Sequence, residues 1–332
     1  MEHKCTKGSL SLLFSWESHP VLSDSCANLA STDILIDAEA LNGAEKDALR
    51  DFYESTGGIN WYISDSWGEG HPCSHFWYGI QCDCWGNVIS IRLPDNRLVG
   101  EIPPSISSLI HLKIIDLHSS PSAGTFSNYL TGPLPSLANL VDLQVLDISL
   151  NAISKWPNDI FLNRNLEVFS ASQNLIGELP VGIGEFVNLR VFELDDNLIE
   201  SQFPTGEVCS MKSILILNLG NNTITGPFYD GCLTNLNPLV VDLSAHVLFG
   251  SDQTTGLDGD VPANLISSWT NIDQGYVSFY LQPAIGGHFG AVCSDLRFCF
   301  WYNFRGHGDL SSSTKESEIP QNVFITISIA ST

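Results

Sequence analysis

Three groups of residues have types and spacings that could do chemistry. Cys73, His75, Cys82 and Cys84 offer the sulfur and imidazole donors that suit zinc. Their Cys-x-His and Cys-x-Cys spacings match no common zinc finger, and the same cysteines could instead form disulfides. Glu193, Asp195 and Asp196 supply hard oxygens of the kind calcium takes, without the spacing of a calcium loop. His288, His307 and Asp309 lie in a Gly-rich, aromatic segment and have the types needed for acid–base transfer. No nucleophile elbow, phosphate-binding loop or kinase signature accompanies them. No catalytic residue, metal or other cofactor is therefore assigned, and the expectation is that the chain is not an enzyme.

Charge narrows the classes further. Asp and Glu number 37 against 14 Lys and Arg, a formal charge of -23 over 332 residues. Such a surface repels phosphate backbones, which excludes nucleic acid as the main partner. It suits a cationic partner, or serves as a solvated acidic face that aids solubility. No run of 18 apolar residues is present, so no transmembrane helix is expected. Near the N-terminus, His3, Lys4 and Lys7 precede the run Leu10 to Trp16 and then Ser25-Cys26-Ala27. That order is the order of a secretory signal, although Glu17 follows the short apolar run closely. The chain ends on Val323 to Thr332, which reads as a strand.

Positioning falls to a repeated unit. Val88 to Pro103 and Leu166 to Pro180 share one frame, which returns at Leu143 to Pro157, Leu189 to Pro204 and Ile214 to Tyr229. Looser copies run from Leu112 to Pro135 and from Pro238 to Pro262, making about seven units. Asn96, Asn151, Asn174, Asn197 and Asn222 occupy one slot, and from Asn151 onward they are 23, 23 and 25 residues apart. Alternating apolar residues such as Phe192 and Leu194 predict one strand of a parallel sheet per unit, with a continuous core behind it. The slot asparagine can pair with backbone groups at the turn leaving the strand. The apolar-Pro pair then sends the chain along the convex side in an extended conformation. One unit cannot bury its apolar face alone, so several must stack.

These residues resemble the plant-type leucine-rich repeat, LxxLxLxxNxLxGxIPxxLxxL, over roughly residues 88 to 265. The segment Glu45 to Trp61, followed by Cys73 and Trp77-Tyr-Gly-Ile-Gln-Cys82, is similar to that family's N-terminal cap. Read from its residues alone, Asn42 and Glu45 make a capping box. Ala48, Leu49, Phe52 and Tyr53 form one apolar face, and Gly57-Gly58 ends the helix. The resemblance implies an α/β solenoid: a right-handed superhelix with a concave parallel sheet, about 7 repeats of 23–25 residues and a helical N-terminal cap. The chain divides accordingly into a leader (1–36), a cap (37–87), repeats (88–275) and a C-terminal flank (276–332). It implies a Cys73–Cys82 disulfide in the cap. It also implies recognition of a protein, peptide or glycan on the concave or lateral surface, in a free inhibitor-like protein or a receptor ectodomain. A structural or adhesion role without a discrete ligand is the alternative.

The register gives the face that would meet a ligand. Its central column is Arg92, Asp116, Asp147, Ser170, Glu193, Asn218 and Asp242, with His118, Asp195, Asp196 and Asn221 beside it. Two insertions leave the frame just after a strand. Ser120–Ser127 postpones the next asparagine to Asn128, and a second insertion lies near Ser251 to Gly256. Set about 24 Å apart by strand spacing, they would bracket a ligand across the middle repeats, or they are neutral drift in surface loops. Cys209 and Cys232 are 23 residues apart, one period, so they should stand on neighbouring coils and bridge. Cys293–Cys299 would staple the flank, Cys5 could pair with Cys26, and Cys84 is left over. Nine cysteines favour an oxidising, extracellular or cell-surface setting. The single sequon, at Asn221, is compatible with glycosylation there. The aromatic run Phe298 to Phe304 is expected to cover the last coil.

Overall fold

The computed structural model describes residues 43–224 and, beyond them, the strands Gly226–Pro227, Val240–Leu243, Leu257–Asp258, Gly275–Phe279, His288–Cys293, Cys299–Phe304 and Val323–Thr326 as backbone. Expectations for Cys5, Cys26, Asn42, Cys232, His307, Asp309, the leader and the 251–256 insertion lie outside the described residues. So do those for the side chains of Asp242, His288, Cys293 and Cys299.

A helix, α1 (Gly43–Ser55), opens the described chain. Ten strands follow up to residue 218: β1 (Ile80–Cys82), β2 (Val88–Arg92), β3 (Val99–Glu101), β4 (Ile114–Asp116), β5 (Tyr129–Pro133), β6 (Val145–Asp147), β7 (Ala152–Lys155), β8 (Val168–Ser170), β9 (Val191–Glu193) and β10 (Ile216–Asn218). The main sheet runs β1-β2-β4-β6-β8-β9-β10 and continues through Val240–Leu243, Gly275–Phe279 and Val323–Thr326. All its pairs are parallel except β1 with β2. This is the solenoid sheet that the period predicts.

One register column carries the core. Ile91, Ile115, Leu146, Phe169, Phe192 and Leu217 point inward, followed two residues on by Leu93, Leu117, Ile148, Ala171, Leu194 and Leu219, all buried. Alternation in a strand sends every second side chain to the same face, so stacking the coils stacks these groups into one hydrophobic wall. Aromatics fill its wider middle: Phe169 lies 5.7 Å from Phe192 and 6.2 Å from Phe186, centroid to centroid.

The extended segments after each asparagine do more than carry the chain away. β3, β5 and β7 pair in parallel as a second, three-stranded sheet on the flank of the solenoid. Gly100 permits its closest contact, since a Cβ there would lie 2.1 Å from the Ser55 carbonyl oxygen at the end of α1.

The asparagine slot performs as expected and extends to one position the frame had displaced. The Asn174 amide donates to the carbonyls of Ala171 and Ser172 in its own coil and of Ile148 in the preceding one. Its Oδ1 accepts the Ile153 N–H. Asn151, Asn197 and Asn222 repeat the pattern. Asn96 turns instead to the cap, taking the Ile63 N–H and donating to the Ile63 carbonyl. Asn128, at the far end of the first insertion, is also a rung. It is buried, donates to Leu93, Leu117 and His118, and accepts from Asn96 and Leu98.

The residue before several rungs has positive φ: Asp95 at 48°, Leu150 at 52°, Gln173 at 55°, Asp196 at 53° and Asn221 at 52°. Asn and Asp tolerate the left-handed region because their short polar side chains bond locally, whereas Leu and Gln are strained there.

The cap makes one contact beyond those read from the sequence. Glu45 is buried, and its Oε2 accepts the Val88 N–H at 3.1 Å, so it seals the start of the first repeat strand. The Ala48, Leu49 and Phe52 face is buried as expected. Tyr53 packs at 5.0 Å from Trp61 and 5.7 Å from Trp67. The Cys73–Cys82 disulfide is present, which removes both sulfurs as zinc ligands. Cys84 and Cys209 are disulfide-bonded too, so Cys84 is not left over. Backbone register sets Cys293 opposite Cys299 in an antiparallel pair.

Two stability outcomes follow. Asn174→Ala and Asn128→Ala should each cost about 3 kcal/mol in urea unfolding, because each strands several buried backbone groups. Leu150→Asn should gain about 1 kcal/mol by relieving the left-handed strain, read from the same denaturation curves.

Candidate functional site

The central column of the concave face is assembled as the register requires. Arg92, Asp116, Asp147, Ser170, Glu193, Asn218 and Asp242 are successive partners across the sheet. Its exposure differs from expectation. Asp116, Asp147, Ser170, Glu193 and Asn218 are buried, although they were expected to offer their side chains to a ligand. Strands about 4.8 Å apart press short side chains against one another, and the residue two positions on bonds to Asp116 and to Asp147. Asp147 Oδ1 accepts the Ser149 N–H and hydroxyl, at 3.0 and 2.6 Å. His118 Nδ1 lies 2.6 Å from Asp116 Oδ1. The more open positions sit to the side: Arg92, His118, Asp195, Asp196 and Asn221 are half-buried. Asn221 donates to Asp196 Oδ1 at 2.6 Å, so a glycan on its amide would displace that bond.

A second stripe escaped the sequence reading. Ser90, Ile114, Val145, Val168, Val191, Ile216 and Val240 are register partners two residues before the acidic column. They share its face because side chains repeat every second residue. Val145, Val168 and Val191 remain half-exposed. The signal was in the sequence, as a β-branched residue at the same offset in successive units, but it was absorbed into the strand pattern. The concave face thus carries an aliphatic row alongside an acidic one.

The first insertion does not stand over this face. Ser120 is tied to Asp95 through its N–H and hydroxyl, at 2.7 and 2.6 Å. Phe126 folds back toward the cap and lies 4.3 Å from Tyr62, with the Arg97 guanidinium 4.9 Å from one ring and 5.6 Å from the other. Arg97 also donates from Nε to the Thr125 carbonyl. Cation–π contact and the hydrogen bond together hold the loop against the cap.

Comparison with known proteins agrees with this geometry. No family model matches the chain. The receptor-like kinase TMK2 of Arabidopsis thaliana is 32% identical over 114 residues, which cover 34% of this chain and 11% of that protein. The polygalacturonase inhibitor of Pyrus communis is 30% identical over 143 residues, 42% of this chain and 36% of that one. Among solved structures, a plant ice-binding protein superposes with a TM-score of 0.57 at 23% identity, over 72% of this chain and 71% of that one. The chain is similar to plant leucine-rich-repeat proteins over these segments, and it shares their solenoid fold. It spans only 11% of the kinase and 36% of the inhibitor. No helix among the described residues is long and apolar enough to cross a membrane.

The buried acids of the solenoid share hydrogens. Asp147, Ser149, Ser170 and Glu193 form a chain of three oxygen contacts, at 2.6, 2.7 and 3.3 Å. Two hydroxyls supply two hydrogens, so filling all three contacts takes a proton on a carboxyl group. Burial raises Glu193 to about 7, helped by Asp195 and Asp147 and opposed by Ser170. Burial also raises Asp147, against the pull of His118. For His118, burial works against the charged ring. The hydrogen bond that the ring donates to Asp116 and the charges of Asp116, Asp147 and Asp95 outweigh it and lift the imidazole to about 9. Ser172 donates to Asp195 in the adjacent column.

A carboxyl held above its unfolded value binds its proton more tightly in the folded state, so deprotonation favours unfolding. For Glu193, stability is complete below about pH 4.5 and falls as pH rises toward about 7, by about 3 kcal/mol. Glu45, raised to about 7 by burial and Asp83 against the Val88 hydrogen bond, acts with the same sign. Urea unfolding at pH 5 and pH 7.5 should show the wild type losing stability. Glu193→Gln should lose less, and Glu45→Gln with Glu193→Gln less again.

Proposed function

We propose that this chain is a non-catalytic recognition protein, secreted or at the cell surface, that binds a cationic segment of polypeptide along its concave face. The observation that supports this most directly is the pairing of the two rows. A half-exposed aliphatic stripe at Val145, Val168 and Val191 runs beside acids whose open members are Asp195 and Asp196. An extended peptide alternates its side chains, so apolar residues on one edge and Lys or Arg on the other would meet both rows. Acidic potential along the groove would speed the encounter, and salt would screen it. On the described concave columns, Arg92 and His118 are the basic side chains, set against Asp116, Asp147, Glu193, Asp195 and Asp196.

The relatives' names fit a role in recognition, since one is a receptor-like kinase and another an inhibitor. The disulfides at Cys73, Cys82, Cys84 and Cys209 fit an oxidising compartment. No helix among the described residues could anchor the chain in a membrane, so attachment would depend on a partner or on further sequence. A receptor-like and a free inhibitor-like form of this chain would both use this surface. A glycan ligand would use the polar edge formed by Asp196 and Asn221, without need of the valine stripe.

The protein from oxidising expression, used as bait on an extracellular extract, should retain a soluble polypeptide whose binding saturates. Asp195→Asn with Asp196→Asn, which remove both charges and keep a residue that tolerates the left-handed backbone at 196, should weaken it at least tenfold at low salt, with little change in melting temperature. Binding of a deglycosylated partner should be unaffected. Association of the chain with itself alone, without a saturable soluble partner, would establish the structural or adhesion role instead.

A further inference from the structure

We infer that Asp116, His118 and Asp147 form a binding site for a divalent transition metal of the zinc class on the concave face. This is not the trio of acids that sequence alone put forward for calcium. Among the described residues, this is the group whose ligand atoms converge, all lying within 4.8 Å of one another.

The sheet brings them together. Asp116 and Asp147 end adjacent parallel strands as register partners, and His118 follows Asp116 by two residues and so shares its face. His118 Nδ1 stands 2.6 Å from Asp116 Oδ1 and 3.8 Å from Asp147 Oδ2. A tetrahedral zinc ion with bonds of about 2.0–2.1 Å separates its ligand atoms by about 3.3 Å. Reaching that geometry takes a widening of the first gap and a narrowing of the second, each by less than about 1 Å.

A second observation points to a cation. Asp147 is buried, and its Oδ2 meets the imidazole at ion-pair distance, 3.8 Å, too long for a hydrogen bond. Its other oxygen is fixed by the Ser149 N–H and hydroxyl, which orient Oδ2 toward His118. Hydrogen bonds of that kind behind a ligand are what positions a carboxylate for a metal. Loading replaces the imidazole proton, which leaves to solvent, with a metal ion whose charge the two carboxylates balance. Arg92, the partner of Asp116 on its other side, opposes the metal, and Asp95 near His118 favours it. Three protein ligands leave the fourth position open to the concave groove, as in zinc sites that exchange a ligand.

The metal-free, disulfide-bonded chain titrated with zinc chloride at pH 7.5 should take up one equivalent with micromolar or tighter affinity and melt at a higher temperature. Cobalt(II) in its place should give a visible absorption band of nitrogen and oxygen ligation, without a sulfur charge-transfer band. His118→Asn and Asp147→Asn should each weaken uptake about 10- to 100-fold. Should a variant not fold, X-ray absorption on the zinc-loaded wild type decides, with a first shell of one imidazole and oxygens expected. Absence of saturable uptake, unchanged affinity in both variants, or a sulfur-containing shell overturns the assignment. None of these readings requires the peptide partner, so the site stands or falls separately from that proposal.

Discussion

A buried backbone group without a hydrogen bond costs more than most side-chain contacts return, and that constraint shapes this molecule. Each coil must turn sharply out of the sheet, which leaves carbonyls pointing into the interior with no strand to receive them. One asparagine amide per coil answers those carbonyls and reaches the preceding coil as well. Asn174, for example, joins Ile148 to Ala171 and Ser172. The parallel register, the inward column of Leu, Ile and Phe, and the outward columns all inherit their alignment from that ladder.

Much of the scaffold was legible because the repeat states each physical requirement several times. The strand positions, the ladder and the order Arg92, Asp116, Asp147, Ser170, Glu193, Asn218 followed from period alone. What period could not give was exposure. A side chain on the solvent face of a strand is ordinarily open, but here its neighbours stand one strand spacing away on both sides. Asp147 and Glu193 are therefore closed in by serines that the sequence offers only as small polar residues. Glu45 likewise has a partner that no short-range pattern could give, since Val88 is 43 residues away.

The same crowding gives the concave face its chemistry. Acids pressed together cannot all ionise cheaply, so protons and hydroxyls are shared along Asp147, Ser149, Ser170 and Glu193. Beside them the β-branched row stays partly open because aliphatic groups need no partners. Affinity for charge and affinity for apolar surface are thus laid out as parallel tracks, each set by one residue per coil.

The first insertion shows how such a scaffold can grow. From Asn96 to Asn128 is 32 residues where other rungs are separated by 23 or 25, yet the extra length leaves the ladder unbroken because Asn128 lands in its column. The surplus chain is gathered outside the coil and fastened to the cap by Phe126, Tyr62 and Arg97. For protein engineering, this turn is a port. A foreign loop could be spliced there, anchored at its root by Ser120 and Asp95, while the curvature of the solenoid beneath it stayed the same.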